Sequence, residues 1–354
     1  MNSSQIYAPS LARLRDSVRA LESNCNMECT YTPVSRAHIE QLWRAVAAGV
    51  SQPNEGIFGP SSISWKINRE SALFLGAGRA SLLQLAHPWV ATALDQHSNL
   101  RSDPLARFHN TFKVVFTIIF GTLGQALAAS QSLYKLHTRI QGEVPASAGA
   151  FPARSHYQAN ELGALSWVFA TLVESAVIAY ESVLPLSPDD KESYYGESKT
   201  LAMLFGISPA ALPQDWAAFE HYNREMWASD TLAVNSLSRD LAHRVLHGRG
   251  SWVPVPHWYR ALTAAWMPDQ LREAFALNYG EREQRAAANA LRRLPTVYRR
   301  IPTSLRHVGP YHEAFARLQQ RPVGLLTRAS NRFWMGRSRM FSPDRNDVHH
   351  PRGT

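Results

Sequence analysis

Residues 162–183 have the sequence LGALSWVFATLVESAVIAYESV, in which Glu174 and Glu181 are the only charged residues. The segment is long enough for about six helical turns. A helix that is apolar on all sides is typical of the centre of a large domain or of a membrane span. We interpret this one as a central buried helix against which the other elements pack.

The segments on both sides of this helix also show helical periodicity. Helices are predicted at 37–50, 70–85, from Pro88, from Pro104, and at 127–140, 189–205, 217–226, 268–294 and 310–320, with loops at 53–64 and 143–158. Strands and helices do not alternate regularly, which argues against a doubly wound sheet. The predicted fold class is all-α, with one large helical domain at 61–325. Residues 1–60 are predicted as a helical extension and loop, and 326–354 as a basic, disordered tail.

Two features of the sequence predict a cytoplasmic protein. The first residues lack the apolar region of a signal peptide. The longest apolar run, 114–129, is interrupted by Gly121 and Gly124 and is short for a bilayer span, which needs roughly 20 apolar residues. We interpret this run as a buried helix. The two cysteines, Cys25 and Cys29, are too few for a disulfide framework.

Positive charge is concentrated in one part of the chain. The net charge is +9, and residues 281–340 contain 13 arginines, no lysine and 3 glutamates. A basic face of this kind could contact anionic lipid or nucleic acid, or it could be an ordinary solvated surface. No recognisable nucleic-acid module accompanies the charge, so nucleic acid is not a predicted partner. Peripheral contact with an anionic membrane stays open as an alternative.

Histidine and arginine supply the candidate chemistry. A haem site needs a neutral imidazole facing an apolar slot and a cation for the propionates. His137, beside Leu133 and Ile140, can supply the imidazole. Arg107 can supply the cation, and on a helix it shares a face with Asn110 and Thr111 at i, i+3 and i+4. Gly76-Ala77-Gly78 lacks the preceding strand and third glycine of a dinucleotide fingerprint, so we interpret it as close helix packing.

A series of short motifs resembles one family in order and spacing. The motifs are Arg69-Glu70, Gly76-Ala77-Gly78-Arg79, Leu82-Leu83-Gln84-Leu85-Ala86-His87-Pro88, His97-Ser98, Arg107-x-x-x-Thr111, Phe120-Gly121, His137-x-x-Ile140-x-Gly142, Tyr157-x-Ala159-Asn160, Trp167-Val168, Ala170-Thr171-Leu172, Tyr194-Tyr195-x-Glu197 and Leu212-Pro213. Over roughly residues 65–310, the chain resembles the catalytic domain shared by bacterial rubber oxygenase (latex-clearing protein) and the endoplasmic-reticulum oxygenase MpaB.

The resemblance implies a globin-like core around haem b. It implies that His137 is the proximal ligand of the iron and that Arg107 and Thr111 line the haem pocket. Asn110 stands where the latex-clearing branch has a lysine able to reach the distal iron site. Phe169 stands where many members have a histidine, and Asp95 is the nearest candidate for the acid of that branch. These departures argue against rubber itself as the substrate.

The sequence therefore predicts a haem b-dependent oxygenase. Its substrate would be a small hydrophobic, isoprenoid-like molecule whose carbon–carbon double bond is cleaved with dioxygen. His137 is the predicted metal ligand, Arg107, Thr111 and Asn110 are predicted to bind the cofactor, and Arg107 and Thr111 are the predicted catalytic residues. The alternatives are a haem-binding sensor or carrier without turnover, and a membrane-surface lipid-binding protein without haem.

Overall fold

The computed structural model describes residues 32–98, 100, 103–248 and 254–341. Cys25, Cys29 and the end of the tail from residue 342 lie outside the described residues.

The all-α prediction is confirmed, because the described part contains sixteen α-helices and a single two-stranded sheet. The helices are α1 (Arg36–Gly49), α2 (Ile63–Asn68), α3 (Ala77–Leu85), α4 (Pro88–His97), α5 (Pro104–Phe120), α6 (Leu123–His137), α7 (Leu162–Glu181), α8 (Pro188–Leu204), α9 (Trp216–Ala228), α10 (Ser236–His247), α11 (His257–Trp266), α12 (Asp269–Ala274), α13 (Glu281–Arg300), α14 (Thr303–Arg306), α15 (Gly309–Leu318) and α16 (Leu325–Met335).

Helix α7 forms the centre of the domain, as predicted. Its main packing partners are α3 and the short 3₁₀ segment Ser71–Gly76. This approach requires Gly76, since a Cβ atom there would lie 2.4 Å from the backbone oxygen of Ser175. A Cβ atom on Gly78 would similarly lie 2.7 Å from Oγ1 of Thr263 on α11. Close helix packing therefore explains the Gly-Ala-Gly motif.

Within the described residues, α7 is also the one helix long and apolar enough to cross a membrane. Of its most apolar window, 61% is buried inside the protein. Length and composition alone are weak evidence for a span, because the core helix of a soluble protein meets the same criteria. The apolar run at 114–129 is divided between α5 and α6.

The end of α6 differs from the prediction of a helix over 127–140. The helix ends at His137, and Gly142 lies in strand β1 (Gln141–Glu143), opposite Tyr157 of strand β2 (His156–Gln158). A Cβ atom on Gly142 would lie 2.7 Å from the Tyr157 hydroxyl, so this glycine serves sheet packing. A three-residue strand is too short for its alternation to be visible in the sequence.

Several other boundaries differ as well. Residues 70–85 divide into the 3₁₀ segment and α3, and the helix predicted over 268–294 is interrupted between α12 and α13. Helices α10 and α11 were not predicted from the sequence. Helix α10 packs on α3 and α4, and α11 packs on α3 and α13.

The predicted tail from residue 326 is a helix in its first part. Helix α16 packs on α5 and α15. The carboxylate of Glu313, 2% exposed, accepts hydrogen bonds from Asn331 Nδ2 at 2.8 Å and from the backbone N–H groups of Met340 and Phe341 at 2.7 and 3.0 Å. The prediction of disorder is therefore wrong for residues 326–341, because a buried acid elsewhere in the chain orders them.

Candidate functional site

A cavity of about 560 Å³ lies beside the central helix. This volume falls within the range of small-molecule sites, roughly 300–1,000 Å³. Its walls come from the 3₁₀ segment and α3, from α5, from α7, from the ends of α10 and α11, and from α16. Most of the lining is aliphatic or aromatic, which suits a hydrophobic ligand.

Helix α5 contributes the polar groups of greatest interest. Its first turn is fixed by Pro104 and by Asp103, whose side chain accepts a hydrogen bond from the Ala106 N–H at 2.9 Å. Arg107 and Thr111, one turn apart, both line the cavity. The structure thus brings two of the three predicted α5 residues to one wall.

Asn110 is the exception. It is exposed and does not line the cavity. The lining face of α5 is centred on Phe108, Thr111 and Val115, and Arg107 lies at one edge of it. At 3.6 residues per turn, Asn110 falls about 60° beyond that edge. The i and i+3 spacing allows Arg107 and Asn110 to share a face of the helix. The cavity, however, lies on the other side of Arg107, so Asn110 does not reach it.

Arg107 has an unusual electrostatic environment. Its side chain makes no hydrogen bond or ion pair with another residue described by the structure, and burial lowers its pKa. Part of its surface nevertheless stays accessible, as expected of a side chain that borders an internal space. Buried cations are normally paired, because leaving water is costly. Arg107 is therefore suited to receive an anionic group of a ligand.

Thr111 uses its hydroxyl proton within the helix. Its Oγ1 donates to the backbone carbonyl of Arg107 at 3.0 Å. The oxygen remains able to accept a hydrogen bond, so Thr111 can receive a donor from a ligand in the cavity. Donation to a ligand would require the side chain to give up the helix carbonyl.

His137 lies at the end of α6, which packs along α5. Burial lowers its pKa to about 4, and the positive charge of Arg107 acts in the same direction. The imidazole is therefore neutral at pH 7, the form that binds a metal. Like Arg107, it is half-buried. It is not part of the wall of the 560 Å³ cavity.

These residues fit a haem in their chemistry. The protein supplies a neutral imidazole, a cation without an anionic partner and a mainly apolar cavity, which are groups that a haem uses, but the imidazole of His137 does not line that cavity. His137 and Arg107 are close enough for one charge to affect the other. Among the described residues, no group of three or more acidic, histidine or cysteine side chains has an arrangement that could hold a metal ion.

The other histidines have structural contacts. His109 lines the cavity, with Nε2 3.1 Å from the backbone oxygen of Phe333. Nε2 of His97 lies 3.0 Å from the Tyr157 hydroxyl. His87 is buried against Trp89 and Phe151, and this burial lowers its pKa to about 4. Asp95, the candidate acid, does not line the cavity.

Most of the other motif residues hold helices together. Arg79 forms a buried ion pair with Glu174 at 2.7 Å and so fixes α3 on α7. The indole N–H of Trp167 donates to the Leu83 carbonyl at 2.8 Å, across the same interface. The carboxylate of Glu197 accepts from two backbone N–H groups at the start of α2. Phe169 is fully buried.

An aromatic group on the cavity wall was not predicted from the sequence. Phe74, Phe108, Phe112 and Trp334 all line the cavity. The rings of Phe74 and Trp334 are stacked, with centroids 3.9 Å apart and planes 16° from parallel. The spacing of Phe108 and Phe112 indicates one helical face, but nothing in the sequence connects Trp334 with residues more than 200 positions earlier.

The described part of the chain is thus an all-α domain with a mainly apolar cavity. Residues 65–300, two thirds of the chain, match the family described as "ER-bound oxygenase mpaB/B'/Rubber oxygenase, catalytic domain". The chain belongs to this family, as its motifs predicted, and carries an oxygenase catalytic domain. No curated protein and no solved structure gave a significant match.

Proposed function

We propose that the protein is a haem b-dependent oxygenase that cleaves a carbon–carbon double bond in a small hydrophobic, isoprenoid-like substrate. The observation that carries the proposal is the unpaired Arg107 on an apolar cavity wall, beside the neutral imidazole of His137. Membership of an oxygenase family supports the use of dioxygen. The reaction balances without an external reductant, because both atoms of dioxygen end in the two carbonyl products.

His137 and Arg107 would hold the cofactor. The neutral imidazole of His137 would ligate the iron without first losing a proton. Arg107 would pair with a propionate and would thereby gain the anionic partner that it lacks. When bound, the haem supplies the activation of dioxygen.

The cavity would bind the substrate, orient it and exclude water from it. Its apolar walls would bind an alkene by burial of hydrocarbon, at about 0.8 kcal/mol for each methylene group. Thr111 can accept a hydrogen bond from a polar end of the substrate, since its own proton is used in the helix. These contacts would hold the double bond in one orientation relative to the cofactor.

The absorption spectrum of the purified protein mixed with hemin tests the proposal. The wild type is expected to bind one hemin and to show a spectrum that changes on reduction with dithionite. His137→Ala should lose this spectrum while its circular dichroism stays helical. After the bound hemin has been reduced to the ferrous state and excess dithionite removed, the wild type should consume oxygen when geranylgeraniol or squalene is added.

His87→Ala is the matched control, because the pKa of His87 is lowered by burial to about the same value while its ring packs between Trp89 and Phe151. It should retain the hemin spectrum. If the folded wild type leaves the spectrum of free hemin unchanged, the proposal is contradicted. Hemin binding without oxygen consumption would instead favour the sensor or carrier alternative.

We also propose that the enzyme contacts an anionic membrane through α16. Leu325, Leu326 and Phe333 on this helix are 80%, 51% and 48% exposed. Residues 321–341 include five arginines and no acidic residue. Exposed apolar side chains among cations are typical of helices that lie at a lipid surface. Phe333 also lines the cavity, so a hydrophobic substrate could enter from the lipid.

Sedimentation with lipid vesicles tests this contact. Binding to phosphatidylglycerol vesicles should exceed binding to phosphatidylcholine vesicles and should weaken as salt is added. Replacing Leu325, Leu326 and Phe333 by serine should abolish it. The same change at Val297 and Leu305, which are 55% and 59% exposed elsewhere, should not. Equal binding to both kinds of vesicle, or none, contradicts the proposal.

A further inference from the structure

Helix α16 lies beyond residues 65–300, the part of the chain that matches the family, yet it forms one wall of the cavity. Trp334 supplies the largest side chain of that wall. Its ring is stacked on Phe74 at 3.9 Å, and Phe74 in turn contacts Phe112 at 4.9 Å. This segment therefore adds aromatic lining to a cavity otherwise built from the family's own helices.

The indole is held firmly in place. Helix α16 is anchored on both sides of Trp334 by the buried carboxylate of Glu313, which binds Asn331 before it and Met340 after it. A further contact joins His109 Nε2 to the Phe333 carbonyl at 3.1 Å. Because these anchors do not involve the indole, its removal should leave the helix in position and enlarge the cavity.

We infer that Trp334 determines how long a hydrophobic substrate the cavity accepts. The inference rests on the proposed function for the identity of the substrate, but the wall itself is a property of the folded chain. A longer hydrocarbon would then meet the indole and would have to leave its last carbons in water. With a small side chain at 334, those carbons are buried and contribute to binding.

Binding of geraniol, farnesol and geranylgeraniol, a series of increasing prenyl chain length, tests the inference by calorimetry. The wild type should gain little affinity from the longest chain. Trp334→Ala should bind geranylgeraniol about tenfold more tightly relative to geraniol than the wild type does, since burial of two further methylene groups is enough for that factor. Trp334→Phe should lie between them.

Leu325→Ala is the matched control, because this residue is on the same helix, is 80% exposed and does not line the cavity. It should leave the preference for chain length unchanged. Unchanged preference in a folded Trp334→Ala protein overturns the inference. So does an increase in hemin affinity in that variant with no change in preference, because the indole would then occupy the cofactor's space.

Each titration is run on the hemin-free and on the hemin-loaded protein, which separates the inference from the proposed function. If hemin does not bind to any variant, the proposed function fails. The affinities of the three alcohols for the hemin-free protein still measure the effect of residue 334 on chain-length preference. A change in chain-length preference there supports the inference whatever the outcome with hemin.

Discussion

Arg107 is a residue whose charge costs the folded protein stability. Burial lowers its pKa, and it has no anionic partner among the residues that the structure describes. A side chain kept for ligand binding at the expense of stability is expected at functional sites. The same guanidinium should therefore have opposite effects on folding and on cofactor binding.

Replacing Arg107 by methionine tests this opposition. We expect the hemin-free protein to gain about 1 kcal/mol in the free energy of unfolding, because an unpaired buried charge is replaced by an apolar chain of similar length. Hemin affinity should fall by about tenfold or more, through the loss of a propionate partner. Urea unfolding and hemin titration measure the two effects. Arg107→Lys keeps the charge and should show neither gain nor full loss; a less stable methionine variant would contradict the expected opposition.

The pKa of His137 predicts how hemin binding depends on pH. With a pKa of about 4, the imidazole stays neutral down to about pH 5. Hemin affinity should therefore change little between pH 7 and pH 5. An imidazole with the ordinary pKa of about 6.5 would lose about thirtyfold at pH 5, because protons would compete with the iron. A loss of that size in spectroscopic titrations would show that burial does not shield His137 from protonation.

At the scale of elements, the packing of α7 on the 3₁₀ segment depends on Gly76. Its missing Cβ allows the backbone of Ser175 to come close, and backbone cannot easily move aside. The Gly78 contact is with the side chain of Thr263, which has more freedom. The two glycines of one motif should thus tolerate substitution differently.

Three alanine variants test this difference by urea unfolding. Gly76→Ala should lower the free energy of unfolding by about 3 kcal/mol, and Gly78→Ala by less, since overpacking typically costs about 1–3 kcal/mol. Gly196 is the control, because it is exposed in α8 and a Cβ atom there would meet no other atom within 4 Å. Gly196→Ala should raise stability by about 0.5–1 kcal/mol through helix propensity. Equal losses at positions 76 and 78 would contradict the packing explanation.

The helices predicted correctly from the sequence are those whose start, end and apolar pattern can be recognised from local residues alone. The start of α5 and both ends of α7 were placed within two residues, because Pro104 and the long apolar run are local signals. The interpretation of 114–129 as one helix was wrong, because α5 ends at Phe120 and α6 begins at Leu123. Strand β1 and helix α16 were not, since each is ordered by distant residues, Tyr157 and Glu313. The candidate site divides in the same way. The motif located Arg107 and Thr111 on one face, but only packing excludes Asn110 and adds Trp334.

At the scale of the whole molecule, one hydrophobic cluster includes side chains from Val34 to Met340. The chain after the family's domain therefore returns to the same core instead of forming a separate tail. The predicted domain boundaries at 60 and 325 both fall inside this continuous packing. Events that loosen the core should accordingly affect the site and the terminal helices together.

Acid is such an event, because His87 and His137 both have a pKa lowered by burial to about 4. In the unfolded chain a histidine pKa is about 6.5. Between these values the unfolded state binds more protons, so the free energy of unfolding falls as the pH falls. Burial raises the pKa of Glu161 and Glu197, which acts in the opposite direction.

The contribution of one histidine can be isolated at His87, which is 3% exposed. Its shift should account for about 2 kcal/mol of the stability lost between pH 7 and pH 5. Glutamine at this position cannot take up the proton. The free energy of unfolding of His87→Gln should therefore fall by about 2 kcal/mol less than that of the wild type between pH 7 and pH 5. Urea unfolding of both proteins at the two pH values gives the difference. An identical pH dependence in the variant would show that protonation of His87 does not destabilise the folded protein.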